Sequence, residues 1–191
     1  AGKTTLVREL DARLRAQDVP TLTLSMDDFH NPRSIRQQRG RLSPDGYYTD
    51  AFNVPLVLRR VLAPLRSDAK VVTVPSASLD LLTDRFVKGA DVTVGVDTVI
   101  LFEGVFLFRP ELVGRWDLRI FLQIDFETVL ARALRRDAPQ MGGATAVERR
   151  YRERYIPGQR RYLAQADPIR AADVVVDNRD PTAPKLIEPA P

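Results

Sequence analysis

Helical stretches alternating with short apolar strands predict an α/β fold, a parallel sheet with helices on both faces. Three observations carry this expectation. The chain opens on Ala1-Gly2-Lys3-Thr4-Thr5 and passes at once into an apolar stripe at helical spacing. Two apolar strands end in acids: Thr21-Leu22-Thr23-Leu24-Ser25 runs into Asp27-Asp28, and Thr98-Val99-Ile100-Leu101-Phe102 runs into Glu103-Gly104. Ligand crevices in open α/β sheets lie outside the carboxyl ends of strands, so these acids stand where chemistry is expected.

The opening residues match the end of a phosphate-binding loop, G-x-x-x-x-G-K-[ST], with its first glycine not in the sequence. Gly2 can take the backbone angles of a tight turn around a phosphate. Lys3 reaches the β- and γ-phosphates in such loops, the Thr4 hydroxyl sits on Mg²⁺, and Thr5 completes the nucleotide-binding set. Leu6, Leu10 and Leu14 start a helix whose free N–H groups and dipole favour anions. The strand that normally precedes such a loop is not in the sequence either, so the chain as it stands is expected to be inactive or nearly so.

The 191 residues suit one domain, with residues 1–180 as its body and 181–191 as a proline-rich, poorly ordered tail. No stretch approaches the ~20 apolar residues of a membrane span, and a cytoplasmic protein without a membrane partner is expected. There is no cysteine and a single histidine, which excludes disulfides, thiolate zinc, cysteine nucleophiles and multi-histidine metal sites. The net charge is +4, with 25 arginines and 4 lysines. Residues 132–161 carry nine of those arginines. Arginine forks grip phosphate oxygens, so this charge suits a nucleotide triphosphate or a polynucleotide, and a solvated helical face is the plain alternative.

Residues 31–50 read as a long polar loop in which Ser43-Pro44-Asp45-Gly46 has turn chemistry. Asn53 is placed to cap a helix over 54–65 with an apolar stripe from Val54 to Leu65. Residues 71–74 and 92–96 read as two small strands flanking an excursion at 78–85. Leu118 to Ile124 is a buried strand, and Asp125 caps a helix from Phe126 to about Arg136. Gly142-Gly143 breaks the chain, and Thr145-Ala146-Val147-Glu148 has capping-box spacing. Pro157-Gly158 is expected to kink or break the helix that follows. Residues 172–176 form the last strand.

In order, Gly2-Lys3-Thr4-Thr5, Ser25-Met26-Asp27-Asp28-Phe29, Asp50-Ala51-Phe52-Asn53, Phe102-Glu103-Gly104, Arg132-x-x-Arg135-Arg136-Asp137 and Ala172-Asp173-Val174-Val175-Val176 resemble the uridine kinase branch of the P-loop kinases, which also holds phosphoribulokinase and bacterial pantothenate kinase. The resemblance covers residues 1 to about 180. It implies a P-loop sheet with a small β excursion for substrate and an arginine-rich helical lid at about 132–161. It implies ATP and Mg²⁺ as cofactors and a nucleoside as acceptor, uridine or cytidine, phosphorylated at its 5′ hydroxyl. Asp27 matches the aspartate that takes the acceptor's proton, and Lys3 and Thr4 match the loop lysine and the Mg²⁺ hydroxyl. Glu103 then organises Mg²⁺. Arg132 and Arg136 act on the transferring phosphate and Arg135 on the nucleotide, with the choice among them open. Asp50 holds ribose hydroxyls or caps a helix. His30, Tyr47 and Tyr48 touch the nucleoside or pack on the domain, and Asp84 and Arg85 belong to the substrate excursion.

One stretch departs from the pattern. Uridine kinases commonly carry Tyr-Asp-Phe-x-Thr-His-x-Arg, whereas residues 79–86 read Leu79-Asp80-Leu81-Leu82-Thr83-Asp84-Arg85-Phe86. Asp84 only accepts, so it cannot donate to a base carbonyl as a histidine can. The alternatives are therefore a kinase for pantothenate or a sugar phosphate, and a non-catalytic nucleotide- or nucleic-acid-binding module. Asp27 speaks against the module, since a polyanion groove wants a cation there. A switch-type GTPase lacks its Asn-Lys-x-Asp run. The expected partner is a small nucleoside-like molecule rather than nucleic acid, with self-association left open.

Overall fold

The computed structural model describes residues 2–187. In chain order the elements are α1 (Lys3–Arg15), β1 (Thr21–Ser25), a 3-10 turn (Met26–Asp28), α2 (Arg33–Arg36), α3 (Pro44–Asp50) and α4 (Val54–Leu56), which runs through a π segment (Val57–Leu62) into α5 (Ala63–Leu65). Then come β2 (Val71–Pro75), β3 (Leu79–Asp80), β4 (Arg85–Phe86), β5 (Asp91–Gly95), β6 (Val99–Glu103), α6 (Pro110–Val113), β7 (Ile120–Gln123) and α7 (Phe126–Asp137). Last are α8 (Ala144–Arg150), a second π segment (Tyr151–Tyr155), α9 (Ile156–Ala166), α10 (Pro168–Ala171), β8 (Val174–Asp177) and β9 (Lys185–Ile187). The architecture is the expected mixed α/β one with parallel strands. No helix among the described residues is long and apolar enough to cross a membrane.

The chain divides into two compact units. One holds residues 3–38 and 49–107. Its centre is the parallel pair β1–β6, in register from Thr21 opposite Val99 to Ser25 opposite Glu103. Helix α1 packs on both strands. Arg13 and Arg15 lie in its last turn, where cations oppose the dipole, and Arg15 also bonds Asp11 one turn back at 3.0 Å. The excursion is an antiparallel pair, β2–β5, with the short β3–β4 hairpin between them in the chain. The other unit holds, among the described residues, Gly2 and residues 39–48 and 108–187, with a three-stranded sheet in which β7–β8 is parallel and β8–β9 antiparallel. Its helices α7, α8 and α9 close on Leu130, Ala133, Val147, Tyr151 and Ile156.

Two helix caps stand as expected: Asn53 accepts from the N–H of Leu56 at 3.1 Å, and Asp125 from that of Thr128 at 2.7 Å. Five expectations are corrected. Residues 31–50 are not one loop, since they hold α2 and α3. Ser43-Pro44-Asp45-Gly46 is a helix start rather than a turn: the Ser43 hydroxyl accepts from Gly46 N–H at 3.0 Å, and a proline in the first turn has no orphan N–H to satisfy. Thr145 does not cap, because Gly143 at φ 91° already takes that place and Glu148 pairs with Arg152 instead. Pro157 does not break its helix. A proline ring displaces the carbonyl four residues back, and both Pro64 and Pro157 are preceded by π segments in which bonds run five residues, Ala63 to Leu58 and Ile156 to Tyr151. Finally, part of the tail is ordered, since Lys185–Ile187 pairs with β8 as β9. The remainder of that tail, residues 188–191, lies outside the described residues.

Candidate active site

The register of β1 and β6 builds the site. Because Ser25 lies opposite Glu103, the carboxyl ends of the two strands finish side by side. The Ser25 hydroxyl donates to Glu103 Oε1 at 3.2 Å, and the Thr4 hydroxyl, one residue into α1, donates to the same oxygen at 3.1 Å. Gly104 makes the approach of the two strand ends feasible: a Cβ on it would lie 2.4 Å from Met26 Cβ. Glu103 is half-buried, so its charge is only partly removed from water, and it accepts from two hydroxyls. Lys3 opens α1.

Asp27 stands on the 3-10 turn that leaves β1. Ser25 Oγ accepts its N–H at 3.3 Å, so one hydroxyl touches both Glu103 and the turn that carries Asp27. The Asp27 carbonyl lies 2.7 Å from His30 Nδ1. A carbonyl only accepts, so that nitrogen carries the proton. The Asp27 and Asp28 side chains are exposed. The Asp28 carboxyl is pushed above its ordinary value, by the share of its surface that has lost water and then by the charges of Asp27 and Glu103.

Thr4, Ser25, Asp27 and Glu103 offer oxygen donors alone, the chemistry of a hard cation. Among the described residues no group of three histidines, aspartates or glutamates could hold an ion alone. Magnesium suits such a place, since it keeps several waters and takes one or two protein oxygens plus phosphate.

The residues expected on the acceptor side divide between the units. Asp50 is buried, with the Thr49 hydroxyl on its Oδ1 at 2.8 Å. Since Asn53 is the cap of α4, capping is not the role of Asp50. The His30 ring lies against Phe52 with centroids 4.5 Å apart. Asp84 is turned onto its own chain: its oxygens accept from Arg33 N–H at 3.0 and 3.1 Å, and Arg36 Nη2 donates at 3.0 Å. The Arg36 bond is the leading cause that holds the Asp84 carboxyl below its ordinary value. Arg85 is exposed. Tyr47 and Tyr48 belong to the second unit and are buried there. The Tyr47 ring packs on Tyr155 at 4.9 Å, and Arg109 and Arg161 flank the Tyr48 ring at 4.8 and 5.0 Å.

The candidate nucleotide arginines also belong to the second unit. Arg132 Nη2 donates to the carbonyls of Asn178 and Arg179 at 3.0 and 2.7 Å. With Arg135, Glu127, Thr128, Arg179 and Pro181 it lines an open pocket of about 480 Å³. Arg136 is clasped by Asp137 at 2.6 Å, and the Tyr151 hydroxyl donates to that same carboxylate at 3.1 Å. Gly2 has φ 90°, and a Cβ on it would fall 2.6 Å from Asn178 Nδ2. Thr5 is exposed on α1.

Four residues of this arrangement are given no role by the motifs: Ser25, Asn31, Arg36 and Ser78. Asn31 Nδ2 bridges the carbonyls of Asp50 and Phe52 at 2.9 and 3.0 Å. Only Ser25 carried a signal, as a hydroxyl residue at a strand end two places before an acid.

No protein-family model matches the chain. It is 31% identical over 181 residues to uridine-cytidine kinase-like 1 of Mus musculus, covering 92% of this chain and 31% of that protein. It is 31% identical over 143 residues to uridine-cytidine kinase A of Dictyostelium discoideum, covering 74% of this chain and 27% of that protein. The chain thus spans less than a third of the length of either relative. Among solved structures it superposes on one described as a possible uridine kinase from Bacillus stearothermophilus, with TM-score 0.67 and 24% identity, covering 91% of this chain and 81% of that one. At that identity the likeness speaks for the fold alone. In sequence the chain is thus similar to uridine-cytidine kinases, and in fold it is similar to P-loop kinases.

Proposed function

We propose that this chain is the core of an ATP- and Mg²⁺-dependent kinase that phosphorylates a hydroxyl of a nucleoside-like acceptor, with the 5′ hydroxyl of uridine or cytidine as the first choice. The observation that carries the reading is the convergence of Lys3, Thr4, Ser25, Asp27 and Glu103 at the carboxyl ends of two parallel strands and the start of a helix. Lys3 and the N-terminus of α1 bind phosphate oxygens. Asp27 orients the acceptor hydroxyl and takes its proton. Thr4 and Glu103 hold the cation and its waters, with Ser25 fixing the orientation of Glu103. When bound, Mg²⁺ offsets charge on the β- and γ-phosphate oxygens. In the second unit, Arg132 and Arg135 line a pocket whose guanidinium groups suit a phosphate, and Arg136 is held by Asp137.

The arginine-rich helix also favours an enzyme over a polynucleotide binder. Arg149 pairs with Glu153 and Arg152 with Glu148, each four residues away, so much of its charge is already matched. A second reading, a kinase for pantothenate or a sugar phosphate, follows from the departure of Leu79 and Asp84 from the uridine kinase pattern.

The test is phosphoryl transfer from Mg·ATP by the whole protein against uridine, cytidine, other nucleosides, pantothenate and sugar phosphates, with Asp27→Asn as control. Turnover of one acceptor that the control loses is the expected result. Tight binding of ATP or polynucleotide without turnover of any acceptor overturns the kinase reading.

A further inference from the structure

The β3–β4 hairpin is fixed at both ends to the segment that carries Asp27. At its base, Ser78 donates its backbone N–H and its hydroxyl to the carbonyl of Asp28, at 2.9 and 3.4 Å. At its tip, Asp84 takes the N–H of Arg33 and one arm of the Arg36 guanidinium. Residues 27–36 and the hairpin therefore form a closed ring: the turn at Asp27-Asp28, His30, α2, the Asp84–Arg36 pair, the hairpin, and back through Ser78.

The tip itself is preorganised. Asp80 Oδ1 accepts from the N–H groups of Leu82 and Thr83 at 2.8 and 3.2 Å, and the Asp84 N–H bonds the Asp80 carbonyl at 2.8 Å. Asp84 sits at φ 57°, a conformation that aspartate tolerates better than most residues. A displacement of Asp84 is thus passed to the whole hairpin rather than absorbed in a slack turn. The pair is half-shielded, with side chains 16% and 25% exposed, so water screens it less than a surface pair. Arg36 Nε is buried and lacks a partner among the described residues, which leaves Asp84 as the group that orients this guanidinium.

We propose that Asp84 is a positioning residue that sets acceptor affinity. It latches the hairpin to α2 and so closes the ring around the approach to Asp27, and it does this without touching the acceptor. The inference rests on the kinase reading above, because it assigns the ring to the acceptor side of Asp27. It also explains why an acceptor-only side chain is suitable at this place: its partners are the protein's own N–H groups.

The experiment compares wild type, Asp84→Ala, Asp84→Asn and Arg36→Lys in the whole protein. Two readouts are taken, steady-state kinetics with the acceptor and with ATP, and amide hydrogen exchange of residues 79–87. The latch predicts that Asp84→Ala raises acceptor KM about three- to tenfold and ATP KM by less than about twofold. It predicts faster exchange at Leu82, Thr83 and Val87 as the tip is released. Asp84→Asn and Arg36→Lys, which keep part of the pairing, should fall between. Unchanged acceptor KM and unchanged exchange in Asp84→Ala overturn the latch, as does an equal rise in both KM values. If wild type turns over no acceptor, the kinase reading fails, and exchange alone decides whether Asp84 holds the hairpin.

Discussion

Thr4 and Glu103 stand 99 positions apart in the chain and meet through a hydrogen bond of 3.1 Å. The contact joins the first turn of α1 to the end of β6, and Ser25 donates to the same Glu103 oxygen. A carboxylate with two hydroxyls on one oxygen keeps its other oxygen for a cation or a metal-bound water. Replacing Glu103 by Gln preserves the shape and removes the charge. Its kcat should fall about 10²- to 10³-fold, as for loss of one preorganised electrostatic group. The Mg²⁺ activation curve should move to higher concentration. Thr4→Ser, which keeps the hydroxyl, should stay close to wild type. An unaltered Mg²⁺ curve in Glu103→Gln would remove this residue from the metal site.

Asp27 is held by its backbone, not by its carboxylate: Ser25 Oγ takes its N–H and His30 Nδ1 donates to its carbonyl. The side chain is exposed and free to meet an acceptor hydroxyl. Asp27→Asn should therefore leave the turn intact and lower kcat by about 10²- to 10⁴-fold, the range for general-base catalysis. ATP affinity measured by calorimetry should change little. A parallel loss of ATP binding would mean that Asp27 serves the nucleotide instead.

What the sequence made legible was mostly local. Strand β1 lies at the predicted residues because Pro20 bounds it and Leu22 and Leu24 alternate with hydroxyl residues, and the caps at Asn53 and Asp125 read directly. Hydroxyls that act across the fold did not read. Ser25 meets Glu103 only because two strands 78 positions apart in the chain pair in register. Ser43-Pro44-Asp45-Gly46 suits a turn and a helix start equally, and burial of Tyr47 and Tyr48 decides for the helix. Pro157 carries a local message to end the helix that burial of Tyr151 and Ile156 before it and of Tyr162 after it overrides. The arginine motif did not tell which side chains are already engaged, since the partner of Arg132 is a pair of backbone carbonyls 46 and 47 positions on.

Gly104 follows Glu103 and lies against Met26, a fully buried residue at the start of the turn that carries Asp27. An alanine there would place its Cβ 2.4 Å from Met26 Cβ, inside van der Waals contact. One of the two strand ends must then move. Gly104→Ala should cost about 1–3 kcal/mol of stability, the usual cost of overpacking. It should also lower kcat with little effect on the global fold, because the shift falls on Glu103 and Asp27. Thermal unfolding and circular dichroism test the first part and kinetics the second. Wild-type melting temperature and kcat together would show that the strand ends are slack.

Tyr151 gives the second unit an alkaline limit. Its phenol is mostly buried and donates to Asp137, and burial followed by the Asp137 charge pushes its pKa up to about 12 from the ordinary 10. The folded state therefore holds this proton more tightly than the unfolded chain. The resulting stability is complete below about pH 10 and is lost as pH rises to about 12. Arg136 stays charged across this window, so its clasp on Asp137 persists and does not mask the effect. Tyr162 is raised as well, chiefly by burial, so two tyrosines share the slope. Unfolding free energy measured in urea from about pH 9 to 12 should fall steadily in wild type. Tyr151→Phe should show a shallower fall, at a fixed cost of about 1 kcal/mol at neutral pH for the lost hydrogen bond. Equal slopes in the two proteins would place the Tyr151 phenol in water rather than in the α7–α8 core.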